Sequence, residues 1–346
     1  MKSPWLVIRS QKLPVSFRVN RQVPTVLLIL ALVTLAAMVI SVSYGEYPVP
    51  PLATIKTILG LESGNSDYGF IIRTLRLPRT LVAFCVGVGL AIAGTITQGI
   101  TRNPLAAPNI IGVNAGASLA AVALLVIFPS APISLLPVVA FAGGLTVAIL
   151  IYFLAWKGGS SPVRLILVGI GLNVIAGALT NLMITFGNIN NVSQALVWLT
   201  GSVYGRSWEH LLTLLPWLAI FGLLALVMAR ELNVLSLGDE VARGLGNRIE
   251  WQRGILLLTS VALASASVAT AGSIGFVGLM APHLSRKLVG GTQEGQLPTA
   301  AMIGGMLVVI ADLLGRMLLA PTELPCGLIT AAIGAPFFIY LLIRKR

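Results

Sequence analysis

Gly169, Asn173, Gly177 and Asn181 recur every four residues, with Thr185 next in step, inside a stretch that carries no charge. That spacing places them on one face of a helix. An amide facing hydrocarbon would lack hydrogen-bond partners, so the face must meet protein or water. Small residues suit close helix packing and amides bond between helices, so packing and the lining of a polar path both fit. Asp312 is the one carboxylate well inside an apolar run, and Arg316 follows at the four-residue spacing of a helical ion pair. A structural and a transport role both fit that pair.

A different chemistry gathers in residues 230–253, RELNVLSLGDEVARGLGNRIEWQR. The chain has 23 basic and 11 acidic residues, and eight of these 34 fall in this segment between long apolar runs. Within it the spacing predicts a short helix from Ser236 to Leu245. Ser236 stands at the cap and Asp239 three residues later, the capping-box spacing. Leu237, Val241 and Leu245 form an apolar stripe, Glu240 and Arg243 lie at i,i+3 on the wet side, and Gly246 is the stop. So short a helix needs a surface to lie on, either its own protein or a soluble partner.

Enzymatic chemistry is harder to find. No glycine-rich phosphate loop ending in Gly-Lys-Ser/Thr occurs, so the chain is not expected to hydrolyse ATP. His210 and His283 are the only histidines and lie far apart in sequence. Cys85 and Cys326 sit in apolar runs without metal-ligand spacing, and no serine or cysteine has a histidine and acid partner in view.

The elements that position these residues follow from composition. Hydrophobic residues make up 56% and charged residues 10% of the 346, and the mean hydropathy is +0.93. About a quarter of a soluble domain is charged, so this chain could not cover its exterior in water and belongs in a bilayer. A net charge of +12 would suggest nucleic acid in a soluble protein. Its placement here reads as topology, and no nucleic-acid partner is expected. The 36 glycines and 19 prolines suit closely packed, locally broken membrane helices.

Uncharged runs of about 20 residues mark ten spans in one transmembrane domain, 1–346. They fall at 22–45, at 80–101 opening from Pro78, two within 103–156, and at 165–186. The rest are 211–229, 254–271, a short one at 276–289, 297–316 and 324–343. The polar, basic residues before Gln22 with no small-x-small site make the first span a retained anchor. Residues 101–114, 271–278 and 321–327 are too rich in proline, glycine or polar groups for plain helix. Ten spans place both termini on one side. Setting them inside puts 17 basic residues in the cytoplasm and six outside: Lys56, Arg73, Arg76, Arg79, Arg206 and Arg316. Segment 230–253 is then cytoplasmic. Arg73, Arg76 and Arg79 crowd the outer N-terminal end of the second span, where the helix dipole disfavours cations. Lipid phosphates or the carboxylates of a partner would answer them.

Several separated motifs then occur in one order. They are RLPRTLVAFCVGVGLAIAGTITQGITRNPLAAPNIIGVNAGA from Arg76, WLTGS from Trp198, LSLGDEVARGLG from Leu235, GSIGFVGLMAPHLSR from Gly272, ADLLGR from Ala311 and ELPCGLITAAIGAPFFIYLL from Glu323. Over nearly its full length the chain resembles the iron-siderophore and vitamin B12 class of ABC importer permeases, the FecCD type. The resemblance implies an all-α, ten-helix permease of the type II importer kind in a bacterial cytoplasmic membrane, surrounded by lipid. It would pair with a second, identical or paralogous permease subunit. Two cytoplasmic ABC ATPases would bind ATP and magnesium in its place, the chain itself holding no cofactor, and an extracytoplasmic siderophore-binding protein would deliver cargo.

By matched position the resemblance makes Ser236, Leu237, Asp239, Glu240, Val241, Arg243, Leu245 and Gly246 the coupling segment. Arg76, Arg79 and Arg316 would dock the binding protein, and Asn173, Gly177 and Asn181 would border the path. The motifs look most like ferric siderophore permeases. Vitamin B12, haem or another chelate is the alternative cargo, and an ion-coupled secondary transporter the alternative class.

Overall fold

The computed structural model describes residues 5–9, 16–45, 47–61, 66–157 and 159–344. Lys2, Lys12, Lys345 and Arg346, which entered the charge reading, lie outside them. Helices dominate. The departure from an all-α chain is an antiparallel hairpin of β1 (Trp5–Arg9) and β2 (Ser16–Asn20), with Trp5 opposite Asn20.

The chain then runs through α1 (Gln22–Ser43), α2 (Pro51–Ile58), α3 (Ser66–Phe70), a π turn at Ile71–Arg76 and α4 (Leu77–Thr101). A 3-10 turn at Pro108–Ile111 precedes α5 (Val113–Ile127). Then come α6 (Leu136–Leu154), α7 (Pro162–Phe186), α8 (Ile189–Leu199) and α9 (Trp208–Val227). The charged segment holds α10 (Ala229–Ser236) and α11 (Asp239–Gly244). The chain closes with α12 (Ile249–Ala271), α13 (Val277–Val289), α14 (Gln293–Leu318) and α15 (Cys326–Arg344). Seven segments are long and apolar enough to cross a membrane: α1, 67–101, 133–154, α7, α9, α12 and α14. Helices α5 and α15 are apolar but shorter.

Helices α4, α12 and α14 form the largely buried interior, while α1, α6, α7 and α9 are largely exposed around them. Small residues decide which helices come together. A side chain at Gly87 would strike the backbone of Gly304, and one at Gly94 the backbone of Gly278. Close backbone approach of this kind drives helix association where hydrophobic burial offers little. Several buried hydroxyls are satisfied locally. Thr95, Thr97, Thr101, Ser267 and Thr270 each donate to the carbonyl four residues back, and Thr97 also meets Ser260 at 3.0 Å.

Two local expectations are corrected. The second span does not open at Pro78, because helix continues back through the π turn to Ser66. Arg73, Arg76 and Arg79 therefore lie within a helix rather than on its N-terminal dipole. Nor does one helix run from Ser236 to Leu245. Ser236 ends α10 and its Oγ donates back to Asn233 O at 2.6 Å, while Gly238 breaks the path at φ 111°. Only glycine enters that backbone region without strain. The capping box does not form, because the Asp239 carboxylate is taken by arginines.

Candidate functional site

One face of α7 opens on a polar pocket of about 410 Å³ lined by Asn109, Asn114, Ser118, Asn173, Gly177 and Asn181 among others. The four-residue spacing delivers Asn173, Gly177 and Asn181 to it together, with Thr180 beside them. The fourth member of the repeat behaves differently. A side chain at Gly169 would strike Ile110 O, so this glycine seats α7 on the 3-10 turn, whereas a side chain at Gly177 would meet nothing within 4 Å. Packing and pore-lining readings thus divide along one stripe. Asn173 Nδ2 donates to Asn109 O at 2.9 Å, and Asn114 Nδ2 donates to Ser273 Oγ at 3.1 Å. The proline breaks at 104 and 108 keep residues 103–112 out of α-helix and bring Asn109 to α7. Asn109 and Asn114 went unassigned in the sequence, although both stand in a join too broken for plain helix.

At one end of the bundle lies the 230–253 segment. Leu237, Val241 and Leu245 are 63%, 50% and 62% exposed, so the apolar stripe survives the helix break without lying on its own chain. Ser236, Glu240, Arg243 and Gly246 are exposed around it, while Ala242 and Leu235 anchor the segment below. Gly246, at φ 79°, supplies the expected stop. Asp239 faces inward. Its Oδ1 accepts from Arg253 Nη2 at 2.7 Å and lies 3.5 Å from Arg102 Nη2.

Arg253, 1% exposed, also donates through Nη1 to Ser160 O at 2.6 Å and Ser160 Oγ at 2.9 Å. Glu250 Oε2 accepts from Ser160 N at 2.9 Å and from its Oγ at 2.5 Å. Ser160 lies just ahead of α7. A buried guanidinium at the start of α12 thus holds both α11 and the entry to α7. Neither Arg253 nor Ser160 stood out in the sequence, since Arg253 borders an apolar run as flanking charges commonly do.

The opposite end is built on Asp312, 3% exposed. The expected pair with Arg316 forms at 3.3 Å. Arg79 binds more closely, with Nη2 to Oδ1 at 2.7 Å and Nε 3.1 Å from the same oxygen. Arg79 also reaches Glu323 at 2.8 Å, and its guanidinium carbon lies 5.5 Å from the Tyr204 ring centre. So the three arginines expected to dock a partner, Arg76 included, are each engaged within the chain as well. A carboxylate shielded from water requires counter-ions, and Arg79 and Arg316 are within reach. Arg316 further donates to Tyr44 O and Ser41 O, and Arg76 to Val42 O, Ser43 O and Tyr47 O, at 2.7–3.1 Å. Most of these carbonyls close α1, where the last turn has no helical donors and carries the negative end of the dipole. Arg73 treats the end of α2 likewise, donating to Thr57 O. The concentration of cations at this end therefore has an internal explanation.

Residues 32–344 match the FecCD transport family. The chain belongs to the FecCD transport family. Among its relatives, the Fe(3+)-citrate import system permease protein YfmE of Bacillus subtilis is 44% identical over 91% of this chain and 94% of its own length. The probable siderophore transport system permease protein YfhA of the same organism is 44% identical over 93% and 95%. A solved chain, described as an inward-facing ABC transporter of metal-chelate type, is 32% identical with a TM-score of 0.84. It covers 93% of this chain and 99% of its own. The FecCD match thus takes in the α7 pocket, the α10–α11 segment and the Asp312 cluster together. Among the described residues no group of three or more His, Cys, Asp or Glu is placed to hold a metal ion.

Proposed function

We propose that this FecCD chain is the permease subunit of an ATP-binding-cassette importer that brings ferric siderophores into a bacterial cytoplasm. The relatives named for ferric citrate and siderophore transport, matched over nine-tenths of both chains, support the cargo class. The observation that carries the path is the open pocket of Asn109, Asn173, Gly177 and Asn181 on an otherwise apolar, largely exposed helix. Amides there can bind a polar chelate or its water shell without fixing a charge. In a single chain the pocket stands open, as expected of half a path completed by a second permease subunit.

The α10–α11 segment is the coupling element, with Leu237, Val241 and Leu245 received by a cytoplasmic ATPase and Glu240 and Arg243 orienting them at the rim. Ser236 and Gly246 bound the segment, and Asp239 ties it to Arg253. A displacement of α11 by the ATPase then reaches Ser160 and α7 through that one buried side chain, which supports alternating access. With ten membrane crossings, by α1, α4, α5, α6, α7, α9, α12, α13, α14 and α15, both termini and this segment would share one side, and the excess of basic residues there makes it the cytoplasmic one.

The Asp312 end faces outward and receives the siderophore-binding protein. There Arg76 supplies the more accessible cation, while Arg79 and Arg316 hold the docking face in shape. The test is uptake of a radiolabelled ferric siderophore by proteoliposomes holding this chain, its partner subunits and the binding protein. Uptake should require internal ATP and magnesium and persist when ion gradients are collapsed. Uptake that follows an ion gradient with ATP absent would overturn the reading.

A further inference from the structure

A second pocket, of about 690 Å³, lies away from α7, between α6, α9 and the end of α12. Its wall is apolar and aromatic: Leu136, Phe141, Leu214, Trp217 and Ala269 contribute, with Phe141 and Trp217 ring centres 4.5 Å apart. Its polar end holds Arg206, Glu209 and His210, at the same end of the bundle as Asp312.

Around Arg206 and His210 the hydrogen-bond donors are not all answered. Arg206 Nη1 lies 3.1 Å from His210 Nε2, and His210 Nδ1 lies 3.3 Å from Ser207 N and 3.0 Å from Ser207 Oγ. If Nδ1 accepts from the Ser207 N–H, a neutral imidazole carries its proton on Nε2, directed at the guanidinium, another donor. If Nε2 instead accepts from Arg206, Nδ1 carries the proton and the Ser207 N–H loses its acceptor. Either arrangement leaves one donor unanswered. Arg206 Nε is buried with no partner among the described residues. Glu209 is exposed, and no ion pair within 4 Å joins it to Arg206. Burial alone pushes the Arg206 guanidinium below its ordinary pKa, with no carboxylate to offset it.

We propose that this pocket is a lipid site, taking a phospholipid of net negative headgroup. The phosphate would sit on Arg206 and Ser207, and an acyl chain would lie along Phe141, Leu214 and Trp217. Three observations favour lipid over a soluble anion. The pocket is continuous with α6 and α9, whose sides are largely exposed and apolar. Its cation lies one residue before the N-cap of α9, at helix-end depth where headgroups lie. Its wall is far more apolar than a free phosphate would need.

The test uses the full permease assembly, exchanged into equal phosphatidylglycerol and phosphatidylcholine and examined by native mass spectrometry for retained lipid. The unaltered chain should keep phosphatidylglycerol preferentially. Arg206→Gln should reduce that preference about fivefold, as expected for about 1 kcal/mol from one cation beside anionic lipid. Thr213→Trp, which leaves Arg206 in place and fills the exposed rim, should also abolish it. Lys56→Gln removes an exposed charge elsewhere and should change nothing. Retention unchanged in both Arg206→Gln and Thr213→Trp would overturn the site. Displacement of the lipid by free glycerol phosphate at equal concentration would make it a soluble-phosphate site and overturn the lipid assignment.

Discussion

Arg253 holds Asp239 through a 2.7 Å hydrogen bond from Nη2 to Oδ1, with the arginine 1% exposed and the aspartate partly open to water. The same guanidinium grips Ser160, so the segment before α7 and the short helix α11 share one anchor. Arg253→Met should cost about 3 kcal/mol, because it leaves Asp239 only the longer contact with Arg102 and leaves Ser160 O without its donor. The companion Asp239→Asn should cost less, since water reaches that carboxylate. A double-mutant cycle read by thermal unfolding should show strong coupling between the two. Additive effects would mean that the bond carries no shared anchoring.

Val241→Asp tests the exposed stripe. It places a carboxylate where Leu237 and Leu245 would be covered by an ATPase, and an unpaired charge buried there costs several kcal/mol. The chain should still insert, because Val241 touches solvent in the isolated permease. ATPase co-purification and coupled uptake should both fall. Normal assembly with full uptake would remove the stripe from the coupling role.

The two glycines of the α7 stripe should respond oppositely. Gly169→Ala should disturb folding by striking Ile110 O, whereas Gly177→Cys should be tolerated and should react with a soluble thiol reagent. Background labelling should be low, with Cys326 buried and Cys85 half-buried. Asn173→Leu and Asn181→Leu should lower uptake while ATPase binding is kept. Normal uptake in both, with an unreactive Cys at 177, would reduce the pocket to a packing gap.

Charge reversal at Arg79 should be far more damaging than at Arg76. Arg79→Glu sets a third carboxylate beside Asp312 and Glu323, and loss of folded protein is expected. Arg79→Met should be milder than Arg79→Glu, since Asp312 keeps its pair with Arg316 and no further carboxylate is added. Arg76→Glu isolates docking more cleanly. Binding-protein affinity should fall, and the difference from the unaltered chain should shrink as salt rises. Equal affinity across a salt series would leave Arg76 as a strut for α1 alone.

Hydropathy and charge placement by themselves determined the membrane setting, the positions of the long helices, the polar stripe and the short apolar stripe of segment 230–253. These rest on period and solvation, which are local properties of a chain. The motif order also pointed to the family. Tertiary structure decided which partner each polar side chain takes. Arg79 and Asp312 are 233 residues apart, and nothing near either one marks the other. Gly169 and Gly177 read alike until the 3-10 turn packs against one and leaves the other open. The capping box at Ser236 has the right spacing and fails, because Ser236 closes α10, Gly238 breaks the path and the buried Arg253 guanidinium takes the Asp239 carboxylate.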